Sequence, residues 1–468
     1  MTIVEQIDPD RLRAAVSTAL ADGARFSSAW ATAERGWRIA LNSDGHQTRV
    51  LSCKVPPHGV VDSIIELAGA AVWDEREAHD LYALPFAGHE PLRALVRHPA
   101  ELSAWTTPVR GDGVHQVAVG PIHAGVIESG HFRFHCVGDQ ILALDTRLFH
   151  KHRGLERAAE GHAPQDALAH VARACAACSV ANSVAYALAA EDALGLTSGG
   201  ELARQRTVLL ELERTYNHLH DIGAICAGVG FAAGAMGFAA LKDRAQELCR
   251  AAFGHRFLFG AVAVGDGPCA LEGLSLEALR AGLRELRTDA TAAWRDLEFA
   301  ASLQARLDGI GLLDRTAALR LGVVGPAARA AGVAIDARVG HPHLTTAGIE
   351  PAALSHPDGD VAARLKIRAA ELIVTWDLLD ELLSRPLERC RTVASRAPSA
   401  IGIGRTESPR GESVCAVELA GGRVARVHLR TGSYANWPAV AAAAAGNQLP
   451  DFPLINKSFE LCYACADR

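Results

Sequence analysis

Glu460-Leu461-Cys462-Tyr463-Ala464-Cys465-Ala466-Asp467-Arg468 carries one C-x-x-C pair at the very end of the chain. A second stands in the first half, inside Arg173-Ala174-Cys175-Ala176-Ala177-Cys178-Ser179. A C-x-x-C brings two sulfurs close enough to share one ion, and two pairs make a complete set for a soft or borderline metal. More than half of the chain separates them, so a shared ion demands a fold that carries the tail back to the earlier segment. Such an ion would pin the last residues down. The commonest use of two pairs is a structural zinc site, whose pairs usually lie closer in sequence than these do.

The remaining composition narrows the class. The chain has 468 residues, 49% of them hydrophobic, with few aromatics and much Ala and Gly. This reads as a globular, helix-leaning protein of two or three domains with a large core. Forty-seven basic and 53 acidic residues give a net charge of −6, and they are mixed along the chain, which excludes a nucleic-acid partner. The start, MTIVEQIDPDRL, has no apolar signal core. Eleven cysteines without a secretion signal point to a reducing compartment and metal ligation. Ile222 to Leu241 is uncharged and long enough to span a bilayer. Its Ala and Gly content favours a buried core helix instead, so membrane association is expected only through partner subunits.

Residues 1–95 read as a small α/β domain. It has a helix over Pro9–Ala21, strands over Arg25–Ala33, Trp37–Leu41 and Arg49–Ser52, and a second helix over Val60–Val72. The cluster Trp73-Asp74-Glu75-Arg76-Glu77-Ala78-His79-Asp80-Leu81-Tyr82 and Phe86-Ala87-Gly88-His89-Glu90-Pro91-Leu92-Arg93 reads as a surface for another subunit or domain, or as a solvated helix end. Pro99, Pro108, Gly111 and Gly113 make 96–113 a linker. From 114 to 468 a hairpin near Gly130–Thr146 leads into long helical stretches. These are Ala158–Gly195, Glu201–Leu241, Leu274–Leu307 and Val361–Leu383, the expectation for a bundle. A second hairpin, Ser413–Leu419 with Arg423–Leu429, turns at Gly421-Gly422. The fold class is therefore α+β, a small N-terminal α/β domain followed by a mainly helical bundle with peripheral hairpins.

Several of these segments resemble one family. W-x-E-R-E-x-H-D-L-Y with F-x-G-H-x-x-L-R resembles the small hydrophilic subunit of respiratory complex I, as found fused in front of membrane-bound hydrogenase large subunits. The stretch Gly120–Phe134 and the later His152-Arg153-Gly154-Leu155-Glu156 resemble the start of the catalytic subunit of group 4, formate-hydrogenlyase-type [NiFe]-hydrogenases, a pattern partly shared with the quinone-facing 49 kDa subunit of complex I. R-x-C-x-x-C-S and C-x-x-C-x-D-R resemble that family's two metal motifs.

The resemblance implies an oxidoreductase that reduces protons or oxidises hydrogen. It makes Cys175 and Cys462 terminal nickel ligands. Cys178 and Cys465 become bridges to an iron carrying carbon monoxide and cyanide. It makes Glu128 a proton relay and Arg410, in Ser408-Pro409-Arg410-Gly411, the arginine held over the metals. Without it, Glu128 is a loop acid and Arg410 a turn residue in solvent. Thr431–Pro438 would shape the pocket, while His218, His341 and His343 are either proton carriers or core histidines. No further cysteine cluster is present to hold an iron–sulfur centre, so electrons are expected through a partner subunit with a [4Fe–4S] cluster. Antiporter-like membrane subunits would complete a complex on the inner face of the cell membrane.

Three positions depart from the family pattern: Ala176-Ala177 between the first cysteines, Asn182 where many relatives have histidine, and Glu460-Leu461 before Cys462. The last two touch groups around the ligands, which tune metal sites. Relatives also carry a tail removed after nickel insertion, so nickel loading here is expected either to bypass that cleavage or to differ. The rival readings are a complex I-like, NADH–quinone-type coupling subunit without a nickel–iron centre, and a zinc-stapled interaction protein. The direction of catalysis, the electron donor and ion pumping are not encoded in these motifs.

Overall fold

Leu12, Val16 and Ala19 recur at helical spacing, and in the computed structural model Pro9–Ala21 is a helix that buries all three. The structure describes residues 2–43, 47–123, 128–267, 271, 273–339, 350 and 354–468. The helix lies on a four-stranded sheet in the spatial order Thr2–Gln6, Gln47–Lys54, Gly36–Ser43, Arg25–Ala31. Thr2–Gln6 pairs parallel to Gln47–Lys54 and the other pairs are antiparallel. One face packs Ile39, Leu41 and Leu51 under the helix. The other sets Trp30, Ala40 and Val50 against Ile401, Ile403, Val414 and Ala416. Both faces are thus covered, and the N-terminal unit is bound to the far end of the chain.

The expected helix over Val60–Val72 is not formed. Val61–Asp62 is a short strand, Gly69–Ala71 a single 3-10 turn, and the helix runs Val72–Tyr82. Glu75 explains the shift. Its buried carboxylate accepts the Ile64 amide at 2.8 Å and the Ser63 hydroxyl at 2.7 Å, and meets His89 Nδ1 at 2.7 Å. These bonds hold 63–64 in a turn that helical periodicity alone would not reveal. The stretch read as a linker is also fixed. Trp105 is buried, and Thr107 donates backbone and side-chain hydrogen bonds of 2.8 Å to Asp145.

Val114–Val119, His131–Val137 and Gln140–Arg147 form an antiparallel three-stranded sheet. The helical core follows, with Ser179–Leu194, Gly200–Gly228, Ala232–Phe253, Leu276–Glu298 and Val361–Leu382 sharing one apolar cluster. The uncharged run Ile222–Leu241 is not one span, because Val229–Phe231 breaks it into two packed helices. Among the described residues no helix is long and apolar enough to cross a membrane. Ile401–Ser408, Gly411–Ala420 and Arg423–Arg430 form the second antiparallel sheet. Its first strand lies directly on Ser179–Leu194. A Cβ at Gly404 would sit 2.0 Å from the Ala185 carbonyl, and one at Gly402 2.1 Å from that of Ala189. Only glycine permits this approach, which sets the register between the helix after Cys178 and the strand leading to Arg410.

Two helices carry polar stripes into this core. Glu211, Arg214, His218 and Asp221 follow one face of Gly200–Gly228, and Arg364, Arg368, Glu371 and Thr375 one face of Val361–Leu382; all are buried. Most of them satisfy one another, while Arg364 donates to the Ser458 hydroxyl at 2.9 Å and to the Gly359 and Gly311 carbonyls at 2.8 Å. Glu371 takes both Arg329 nitrogens at 2.6 and 2.8 Å and contacts His218 Nε2 at 2.7 Å, while Glu211 accepts from Arg214 at 3.0 Å and Thr375 at 2.8 Å. Buried charges need such pairing or a full set of hydrogen bonds.

Candidate metal centre

The helix Pro164–Ala172 ends one residue before Arg173, a turn carries Cys175, and Cys178 flanks the N-terminus of Ser179–Leu194. Cys178 thus stands at a helix start. The amides of Val180 and Ala181 donate to Glu213 at 2.7 and 3.0 Å. Burial pushes the Glu213 carboxyl up to about 8 despite these bonds.

The tail reaches the same place from the other side. Phe452–Phe459 ends at Glu460, whose φ is +46°, and Cys462 precedes the short helix Tyr463–Asp467. Thr431–Pro438 holds that turn. Ser433 Oγ accepts the Cys462 amide at 3.0 Å, and the Thr431 hydroxyl donates to the Cys465 carbonyl at 3.2 Å. Asp467 accepts the amides of Phe149 and Lys151 at 2.7 and 2.9 Å, and His152 Nδ1 lies 2.6 Å from the Asp467 carbonyl oxygen.

The four sulfurs converge. Cys175 and Cys462 Sγ are 3.0 Å apart, and the sulfurs of Cys175, Cys462 and Cys465 all lie within 4.8 Å of one another. Cys178 packs against Cys175 and Cys465, beside this trio rather than inside it. A site with metal–sulfur bonds of ~2.3 Å sets neighbouring sulfurs about 3.8 Å apart, a value between the 3.0 Å of the nearest pair and the 4.8 Å limit of the trio. Cys175, Cys178 and Cys465 are buried, and Cys462 is half-buried. Hydrogen bonds from Cys175 and Cys465 pull the Cys178 thiol down, and the same exchange pushes Cys462 and Cys465 up. Asn182, one turn beyond Cys178, is fully buried with neither polar end of its amide partnered.

Glu128 and Arg410 flank the sulfurs. Glu128 Oε2 accepts the Ala464 amide at 2.8 Å and lies 3.9 Å from Cys462 Sγ. Burial, then Cys462, raises its pKa. Arg410 occupies the two-residue turn between Ser408 and Gly411, yet it is buried rather than solvated. Nε donates to the Glu460 carbonyl at 2.9 Å, and the other nitrogens to Asn217 at 2.6 Å and Asp221 at 2.8 Å. Burial disfavours its charge, but Asp221 and Cys178 overcompensate and hold it cationic. His218 lies within the polar stripe between Asp221 and Glu371; His341 and His343 fall outside the described residues. Glu213, Asn217 and Asp221 escaped the sequence reading. Their signal is the row of polar side chains in Glu211–Asp221, at helical spacing within an apolar helix.

The descriptions that match this chain are the respiratory-chain NADH dehydrogenase 49 Kd subunit, over residues 228–392 and 388–468, and the 30 Kd subunit, over 6–115. Hydrogenase-4 component G of Escherichia coli (strain K12) is 31% identical over 437 residues, covering 87% of this chain and 75% of that one. The chain belongs to the large subunits of the complex I-related, group 4 membrane-bound hydrogenases. Formate hydrogenlyase subunit 5 of the same organism is 30% identical over 446 residues, covering 87% of this chain and 76% of that one. In fold, this hydrogenase large subunit is similar to a chain in the structure of the membrane-bound sulfane sulfur reductase, an archaeal respiratory membrane complex. The TM-score is 0.69 at 24% identity, over 77% of this chain and all of the other. The hydrogenase subunit is thus an oxidoreductase, with a complex I 30 kDa-type domain fused in front of a 49 kDa-type catalytic part. The hydrogenase relatives favour this over the quinone-coupling reading.

Proposed function

We propose that this hydrogenase subunit holds a nickel–iron centre on Cys175, Cys178, Cys462 and Cys465, and interconverts protons and dihydrogen there. The convergence of three sulfurs from two distant segments of the chain, with Cys178 packed beside them, carries the reading. It suits a thiolate-loving metal better than carboxylate-seeking ions. When bound, the centre supplies the Lewis acid that polarises dihydrogen. Cys175 and Cys462 would hold the nickel, and Cys178 and Cys465 would serve both metals.

The chain's own groups then handle the proton and the charge. The Cys462 sulfur takes a proton, and Glu128 Oε2, 3.9 Å away, carries it outward. The Ala464 amide, 2.8 Å from that oxygen, fixes the carboxylate toward the sulfur. Arg410 is locked by Asp221, Asn217 and the Glu460 carbonyl, so it presents a fixed cation beside four thiolates without moving. Asn182, with its unpartnered amide, offers further donors one turn from Cys178.

Electrons reach the centre from a small partner subunit with a [4Fe–4S] cluster. The assembled complex includes antiporter-like membrane subunits and sits peripherally on the inner face of the cell membrane, as befits a chain similar to a membrane-bound hydrogenase subunit and to a chain of a respiratory membrane complex. The test is hydrogen evolution from a reduced viologen by the complex carrying wild-type chain or Cys178→Ser. The variant abolishes evolution if the four sulfurs hold the metals; undiminished evolution overturns the assignment and restores the quinone-coupling reading.

A further inference from the structure

The acid-rich helix Val72–Tyr82 divides its carboxylates between two tasks. Glu75 and Asp80 fold the N-terminal unit itself, Asp80 accepting the amides of Leu95, Val96 and Arg97 at 2.7, 2.8 and 3.0 Å. Asp74 and Glu77 face the catalytic part. Asp74 meets Arg430 Nε at 3.3 Å, and Glu77 receives the guanidinium of Arg468. Arg468 also donates to Glu156 and to the Leu429 carbonyl, both at 2.7 Å, and lies over the Tyr434 ring, 4.8 Å from its centroid. Glu156 takes Arg426 as well, at 2.9 Å.

Ligand atoms of Glu77, Glu156 and His428 lie within 4.8 Å of one another, the arrangement of a metal site. Here guanidinium groups meet those acids. Asp74, Glu77 and Glu156 stand against Arg426, Arg430 and Arg468, all buried or nearly so. Burial holds His428 neutral, its pKa far below the usual value. Three anions and three cations cancel, which leaves no charge for an ion to balance.

The consequence concerns the tail. Arg468 follows Cys465 by one helical turn, in the same short segment as Cys462. We propose that Glu77 is a positioning residue for the metal centre: through Arg468, the fused N-terminal domain holds the turn that presents Cys462 and Cys465. Removing the Glu77 charge leaves a buried guanidinium under-compensated, and the strain falls on the last turn. The proposal rests on reading the cysteines as ligands, but it predicts a property of the polypeptide without metal.

The test is thiol labelling of the full-length, metal-free chain with N-ethylmaleimide, read by mass spectrometry. The reference thiols are Cys226 and Cys249, buried in the helical core. In the wild type, Cys465 is as protected as the references. In Glu77→Gln its labelling rises at least tenfold over theirs. Arg468→Lys, which keeps charge but loses the fork, shows the same rise, and the double variant shows no more than either single change. If Glu77→Gln does not fold by circular dichroism, Glu77→Asp and Arg468→Lys carry the comparison. An unchanged ratio, or effects of the two substitutions that multiply, overturns the proposal. Absence of nickel from the mature protein would refute the metal assignment and leave this result standing.

Discussion

Replacing Glu128 by Gln isolates proton transfer from structure. Glutamine has nearly the shape of the acid and retains a carbonyl oxygen to accept the Ala464 amide, now 2.8 Å away. The local geometry and the sulfur cluster are therefore kept. What is lost is the ability to take a proton from the sulfur of Cys462 at 3.9 Å. A positioned acid–base group contributes about 10²–10⁴ in rate, or ~2.7–5.4 kcal/mol of barrier. Burial limits replacement by bulk water, since Glu128 and Cys462 are both only partly accessible. The assay is isotope exchange between D₂ and water, which needs no external electron donor. The expected result is exchange slowed at least 100-fold, with metal content unchanged. Exchange at the wild-type rate, in a variant with full metal content, would refute the relay.

Arg410→Leu strands Asp221, which retains Arg368 at 3.0 Å; the loss is therefore ~3 kcal/mol, the lower end for breaking a buried pair, seen as a lower denaturant midpoint. Glu213 provides a pH test. Its carboxyl moves from 4.5 to about 8 on folding, so ionising it opposes folding. The penalty is absent below the unfolded value, grows as pH rises through this window, and is complete above about 8. Glu213→Gln removes it, so thermal denaturation shows the variant gaining on the wild type at pH 8 and little at pH 4. Gly404→Val drives a side chain into the Ala185 carbonyl and lowers stability by about 3 kcal/mol or more. At Gly237, where an added Cβ meets nothing within 4 Å, Ala instead raises the melting temperature slightly.

The local elements were legible where one physical signal dominated. Periodicity located Pro9–Ala21 and Val361–Leu382, and alternation with Gly421-Gly422 located the last hairpin. The C-x-x-C spacing and the motif resemblance pointed to four sulfurs that the fold brings together. Long-range side-chain bonds were not legible. Glu75 overrode the apparent helix over 60–72 by binding Ser63 and Ile64, and no local pattern announces such a bond. Without the motif resemblance Arg410 reads as an ordinary turn residue, because its partners Asn217 and Asp221 lie almost two hundred positions away. Glu77 read only as part of a charged surface; its partner Arg468 sits at the opposite end of the sequence. The charge row Glu211–Asp221 was visible as composition, but its meaning depended on the facing stripe of Val361–Leu382.

The central claim is that sulfurs from residues 175–178 and 462–465 share a nickel–iron centre. Elemental analysis of the intact complex, purified after expression with its maturation machinery, tests this most directly, together with infrared spectroscopy of the same sample. The account predicts about one nickel per large subunit, as one four-thiolate site requires, with carbon monoxide and cyanide stretching bands. Cys178→Ser removes both. Zinc in place of nickel, or nickel without those bands, contradicts it.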